Sequence, residues 1–220
     1  MQPRPEAGKK TWFFQFARRL VTLFSAIFYP SRCVHPEKLE AMDAPYILIS
    51  NHQSMMDPVL LAVHLRRYEI RFLGKRELTR FAPLRWVVTK LHMIPVSRHQ
   101  SDIGALRASL DTLKAGNVLA LFPEGRRFLE GTPMAHIESG FLVMALRSRA
   151  PLLPVYIHGI PRPFRPVELW VGDPISFETL RQENEELSHD AVKEHIREVY
   201  RNLKKQAEKH KKNNSNRMPT

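Results

Sequence analysis

The sequence predicts an α/β fold: a single domain with a mainly parallel central sheet flanked by helices. Three observations carry that expectation. Short apolar runs with strand character recur at 46–49, 70–73, 93–96, 118–122 and 152–157. The segments between them have helical spacing, clearest from Asp102 to Ala115, where Ile103, Leu106, Leu110 and Leu113 share one side and Gly116-Asn117 ends the run. Strand, helix and strand at this rhythm is the pattern of parallel strands covered by helices. At 220 residues, one domain is the working count, and 43% hydrophobic with 25% charged residues provides a core and excludes a disordered scaffold.

The N-terminal region opens on basic residues and continues into a greasy stretch. Arg18 and Arg19 interrupt it, so the uncharged run from Leu20 to Tyr29 is shorter than the roughly 20 residues a spanning helix needs. No small-x-small cleavage pattern follows, so export is not indicated. On a helical wheel Phe13, Phe16, Ala17, Leu20, Phe24, Ile27 and Phe28 fall on one face, with Gln15, Arg18, Arg19, Thr22 and Ser25 opposite. Two readings stand for this amphipathic helix: a core-packing element, or a helix lying in a membrane interface, where Arg4, Lys9 and Lys10 would add attraction to an anionic leaflet. Pro30 ends it.

At the other end, Ser188 can cap a helix with Val192, Ile196, Val199 and Leu203 on one stripe, after which the chain becomes polar and basic. The domain is therefore expected over 32–203, between a basic amphipathic segment at 1–31 and a disordered tail at 204–220, frayed from Lys211 onward. Cys33 is the chain's single cysteine, which excludes an internal disulfide and a paired-cysteine zinc site. The net charge of +12 favours polyanionic partners. No nucleic-acid partner is expected, because the basic residues gather beside an apolar helix and in the tail, without a recognition motif or stacking platform.

The chemistry-bearing residues follow strands, at the edge where α/β sheets place their sites. After the first strand comes Asn51-His52-Gln53-Ser54-Met55-Met56-Asp57-Pro58. A histidine there can act as a base near neutral pH, and a carboxylate five residues later reaches it if the turn opens a helix. By themselves the two residues fit a satisfied surface pair better, because a His and an Asp five apart are common by chance. Phe122-Pro123-Glu124-Gly125-Arg126-Arg127 offers a close-approach glycine and two guanidinium forks suited to phosphate, or a plain turn with solvated arginines. Ile94-Pro95-Val96-Ser97-Arg98 adds another arginine, and 151–155 is an apolar strand without a titratable group.

In this order and spacing, the four pieces resemble the glycerolipid acyltransferase family, most closely its bacterial 1-acyl-sn-glycerol-3-phosphate acyltransferases. The resemblance covers roughly 44–172 and is supported by Lys75-Arg76-Glu77-Leu78 between the first two blocks. It implies a glycerol-3-phosphate acyltransferase-like fold in which His52 and Asp57 are catalytic. His52 would deprotonate the sn-2 hydroxyl of a lysophospholipid, which attacks the thioester of acyl-CoA or acyl-carrier protein, and Asp57 would hold the imidazolium. The substrate phosphate would be bound by Arg98, Glu124, Gly125, Arg126 and Arg127. No metal and no resident cofactor are called for. The implied product is phosphatidic acid, for phospholipid synthesis at the cytoplasmic side of the cell membrane, with the N-terminal helix as a peripheral or monotopic anchor. Another lysophospholipid or a lyso-ornithine lipid as acceptor, or a non-catalytic lipid-binding role, are the alternatives. Departures from the family pattern touch the head-group loops: Arg126 stands where Thr or Ser is usual, Ser97 where Asp or Asn is frequent, His92 where Gly is common, and Glu138 where Lys is usual. Arg126 and Glu138 are read as a compensating exchange of charge between two loops.

Overall fold

A computed structural model describes residues 12–65, 67–68, 70–77, 93–96, 102–128, 131–178, 180 and 188–215. The elements run α1 (Trp12–Phe28), β1 (Ser31–Val34), α2 (Pro36–Ala41), β2 (Ile47–Ser50), α3 (Asp57–His64), β3 (Ile70–Lys75), β4 (Ile94–Val96), α4 (Ile103–Lys114), β5 (Val118–Leu121), α5 (Ser139–Ser148), β6 (Leu152–His158), β7 (Val167–Val171) and α6 (His189–Ser215). The strands form one sheet in the order β1-β7-β6-β2-β5-β3-β4. Neighbours from β6 to β4 pair in parallel, β7 runs antiparallel to β6, and β1 pairs in parallel with β7.

Burial explains which strands are central. Each residue of β2 and β5 is buried, and β6 is buried up to His158. Such strands can only sit between two helical layers, because side chains alternate across the sheet. Ile47, Ile49, Leu119 and Leu121 face one layer with residues of α4, α5 and α6, among them Leu113, Leu142, Ile196 and Tyr200. Leu48, Val118, Ala120, Leu153 and Val155 face the other with Leu60 and Leu61 of α3. Helix α4 starts where its sequence says: the Asp102 side chain accepts the Ala105 N–H at 2.9 Å, and Gly116 takes a left-handed φ of 76° just past its end.

The expected strands are all present and the parallel core is as anticipated. Two strands and one boundary differ. Ser31–Val34, taken as the region just after the N-terminal segment, is an edge strand, and Val167–Val171 supplies the antiparallel reversal. The tail expected to be disordered from 204 is helical through Ser215. Leu203 and Ala207 continue the buried stripe of α6 onto the sheet, and His210 packs edge-on against Trp170 with ring centroids 5.5 Å apart. His210 also lies 3.1 Å from the Arg32 guanidinium, which donates to Glu168 at 2.6 Å. A helix whose last turns look polar is thus ordered by one apolar stripe and a polar cluster on β1 and β7.

Ending the chain after Leu203 is therefore expected to cost about 1–2 kcal/mol, lowering Tm by roughly 2–8 °C for a chain of this size. Ending the chain after Ser215 is the control. Equal melting of the two truncations would show that the last turns of α6 add nothing.

Candidate active site

The site forms where β2 ends. Asn51 continues the β2–β6 ladder with its side chain: Oδ1 accepts the Ile157 N–H at 2.7 Å and Nδ2 donates to the Ile157 carbonyl at 3.1 Å. A side-chain amide here replaces a strand residue, so the main chain is released to turn outward at His52. Below, the buried Tyr200 hydroxyl of α6 donates to the Ile49 carbonyl at 2.7 Å, fixing the strand just before the turn.

The turn closes on Asp57, the first residue of α3, which is fully buried. Its Oδ2 accepts the backbone N–H of Gln53 at 2.6 Å and of Ser54 at 2.8 Å, and lies 2.8 Å from His52 Nδ1. The helix N-terminus favours the negative charge. With Nδ1 carrying the proton toward a carboxylate, Nε2 becomes the basic nitrogen of the imidazole. The ring is held on its other side by Phe122, stacked at 4.1 Å between centroids and 18° between planes. His52 keeps 17% of its side chain exposed. A base of this kind can take a proton from a bound hydroxyl.

Glu124 is the second buried carboxylate of the site, 2% exposed. Its Oε2 accepts the His52 N–H at 3.1 Å and its Oε1 the Met134 N–H at 2.9 Å. Burial pushes its pKa above the ordinary carboxylate value, against the two backbone donors that lower it. The carboxylate thereby ties three loops together by two hydrogen bonds, and the Phe128 N–H adds a third by donating to the His52 carbonyl at 2.8 Å. With each oxygen accepting a backbone N–H, Glu124 shapes the pocket here by holding its loops rather than by presenting a free oxygen.

Gly125 holds a left-handed φ of 66°, and a Cβ there would lie 2.7 Å from the Glu138 side chain. Arg126 and Arg127 are exposed on the same loop. The Arg126 guanidinium lies 4.6 Å from the centre of the Phe128 ring, and Glu138 pairs with His136 at 3.3 Å. The two members of the supposed charge exchange thus border Gly125 with different partners. Arg98, and with it Ser97 and His92, lies outside the described residues.

A polar cavity of about 250 Å³ opens beside these loops, lined among others by Asn51, Gln53, Glu124, Thr132, Tyr156 and Lys204. Lys204, expected in a disordered tail, lies on α6 and lines this cavity beside Glu124. The signal that could have found it is the Val192-Ile196-Val199-Leu203 stripe, which needs only one more buried position, Ala207, to carry the helix past 204. Cys33 sits half-buried in β1 with its pKa pushed up to about 11 by burial and by Glu37 and Glu40.

Comparison with known proteins agrees with this geometry. The family model described as Acyltransferase matches residues 31–158. A 1-acyl-sn-glycerol-3-phosphate acyltransferase of Bacillus subtilis is 26% identical over 117 residues, 53% of this chain and 57% of the relative. One of Streptococcus pneumoniae is 24% identical over 182 residues, 79% of this chain and 67% of the relative. The chain spans about half the length of most of the curated relatives it matches. The crystal structure of the 1-acyl-sn-glycerophosphate (LPA) acyltransferase PlsC from Thermotoga maritima superposes with a TM-score of 0.69 at 22% identity, covering 92% of this chain and 84% of that one, which shows a shared fold.

Gly125→Ala is expected to lose about 1–3 kcal/mol from the left-handed backbone, read by urea unfolding. Adding Glu138→Ala should recover only the steric part of that loss. Full recovery by the second change would mean that the backbone conformation carries no cost.

Proposed function

The chain belongs to the acyltransferase family, and on that premise we propose that it moves a fatty acyl group from acyl-CoA or acyl-carrier protein to the free sn-2 hydroxyl of 1-acyl-sn-glycerol-3-phosphate, giving phosphatidic acid. The observation that carries the reading is the His52 Nδ1 to Asp57 Oδ2 contact at 2.8 Å, reinforced by two backbone N–H groups on the same oxygen. His52 Nε2 takes the acceptor's hydroxyl proton as the oxygen attacks the thioester carbonyl. The tetrahedral intermediate then collapses with loss of the thiolate, which receives that proton from the imidazolium. Asp57 accepts the Nδ1–H throughout and stabilises the charged ring. The chemistry calls for no enzyme nucleophile and no resident cofactor, since the acceptor supplies the attacking oxygen and the thioester supplies the activated acyl group.

Arg98 and Arg127 are the proposed phosphate ligands, with Arg126 beside them and Gly125 letting the loop approach the head group. Glu124 acts from beneath by holding the His52 and Met134 amides. The acceptor is a membrane lipid, so the enzyme works at a bilayer surface, on the cytoplasmic side. Helix α1 suits peripheral attachment: Leu23, Phe24 and Ile27 lie exposed along it, and among the described residues no helix is long and apolar enough to cross a membrane. The departures at Arg126 and Glu138 favour one second reading, the same transfer to a lysophospholipid with a different head group.

Thiol release from acyl-CoA and acyl-carrier protein, measured with 1-acylglycerol-3-phosphate present, tests the reading. His52→Ala is expected to lower turnover by about 10²–10⁴-fold in a chain that still folds, with Tm lowered by the loss of a partner to the buried Asp57. Release by the wild type only with another lysophospholipid would select the second reading. Activity that survives His52→Ala would remove His52 as the base.

A further inference from the structure

Among the described side chains of α1, Leu23, Phe24 and Ile27 are not packed into the domain. The helix lies against α3, and the residue it buries is Ser25, flanked by half-buried Thr22 and Tyr29. Leu23, Phe24 and Ile27 point away, 57%, 49% and 53% exposed. Of the two readings open from periodicity, core packing is thereby excluded for this part of the helix.

A residue far off in sequence continues that surface. Phe164, in the turn between β6 and β7, is 67% exposed. It is tied to the end of α1 twice: its N–H donates to the Phe28 carbonyl at 2.7 Å, and the two rings lie 5.4 Å apart. Its φ is 61°, in the left-handed region that side chains other than those of glycine and asparagine adopt at a cost. A phenylalanine held in a strained conformation, with most of its ring in water, gains little from the chain itself. Arg162 and Arg165, both exposed, flank it and are closed into a turn by the Arg165 N–H donating to the Arg162 carbonyl at 3.1 Å.

Topology places this turn at the site. β6 runs parallel to β2, with Val155 opposite Ser50, so the chain leaves β6 at the sheet edge from which the His52 loop rises. β1 begins at that edge too, with Ser31 opposite Val167, which brings the end of α1 there.

We propose that the turn at 159–166 is a second lipid-contacting element, with Phe164 entering the interfacial layer of an anionic bilayer and Arg162 and Arg165 on lipid phosphates. It forms one surface with the exposed face of α1, beside the catalytic edge. The charge pattern selects a lipid surface over a second copy of this chain, which would set like-charged arginines against each other in a protein of net charge +12. The assignment extends the membrane reading of α1, and its test reads binding without turnover, so failure of the proposed reaction would leave it standing.

Full-length variants are sedimented with vesicles of phosphatidylglycerol and phosphatidylcholine, and with vesicles of phosphatidylcholine alone. Phe164→Asn, which suits the left-handed backbone, should keep or raise Tm and weaken binding to the mixed vesicles about tenfold. Phe164→Trp should bind as the wild type does. Arg162→Gln with Arg165→Gln should weaken binding to the mixed vesicles about tenfold or more and leave binding to phosphatidylcholine unchanged. Wild-type binding by Phe164→Asn, with loss confined to Leu23→Ser/Ile27→Ser, would overturn the proposal and leave α1 as the sole anchor. So would no vesicle binding by the wild type, or a change in oligomeric state on Phe164→Asn at unchanged vesicle binding.

Discussion

Asp57 Oδ2 gathers the imidazole of His52 and the amides of Gln53 and Ser54 onto one buried oxygen, and the rest of the site is arranged around that convergence. A carboxylate without exposure is tolerable only where donors and a helix N-terminus replace its water. Asp57 receives both because it is the first residue of α3 and the turn before it curls back over its side chain. The same contacts that make the charge tolerable fix the tautomer and direction of His52. Folding of the turn and preparation of the base are therefore one event, and a substitution at Asp57 would disturb both.

The His52 turn alone would be a poorly held base, because it projects from the sheet. Three groups restrain it, two of them distant in sequence. Asn51 locks its root to β6 by copying a strand's hydrogen bonds, Tyr200 holds the preceding carbonyl from the opposite layer, and Glu124 takes the His52 N–H while reaching across to Met134. Glu124 stands under its own loop and so can position groups around the reacting atoms without meeting them. The raised pKa that burial gives Glu124 is a measure of how far the framework is withdrawn from water.

How much of this could be read from the sequence depended on whether a feature is local. The central strands were legible because burial on both faces leaves an unbroken apolar run, and the His52–Asp57 pair because five residues span one turn. Glu124 was visible as a residue but not in its role, since its partners lie at His52 and Met134, on other loops. β1 was hidden because Ser31–Val34 is an edge strand, half-exposed and without an apolar run. The end of α6 was hidden for the opposite reason: a single stripe through Leu203 and Ala207 orders turns whose composition is almost wholly polar and basic. Lys204 reached the site cavity only through that helix. Periodicity identified the amphipathic character of α1, yet could not say which face the domain would take, and the domain took Ser25.

That choice links the fold to where it can work. A helix that buries Ser25 and leaves Leu23, Phe24 and Ile27 outside gains little from its own domain, which is what supports the proposed membrane contact. The antiparallel reversal into β7 matters for the same reason. Had β7 joined in parallel, a crossover would have carried the chain to the far edge of the sheet, and the link after β6 could not have been a short turn at the catalytic edge. Because it reverses, Phe164 and its arginines remain beside the end of α1, at the edge where His52 stands. An acceptor whose acyl chain stays in a bilayer needs its hydroxyl brought only as far as that edge. The antiparallel pairing of β6 with β7 thus lets Phe164, the exposed residues of α1 and the buried polar clamp share a single side of the domain.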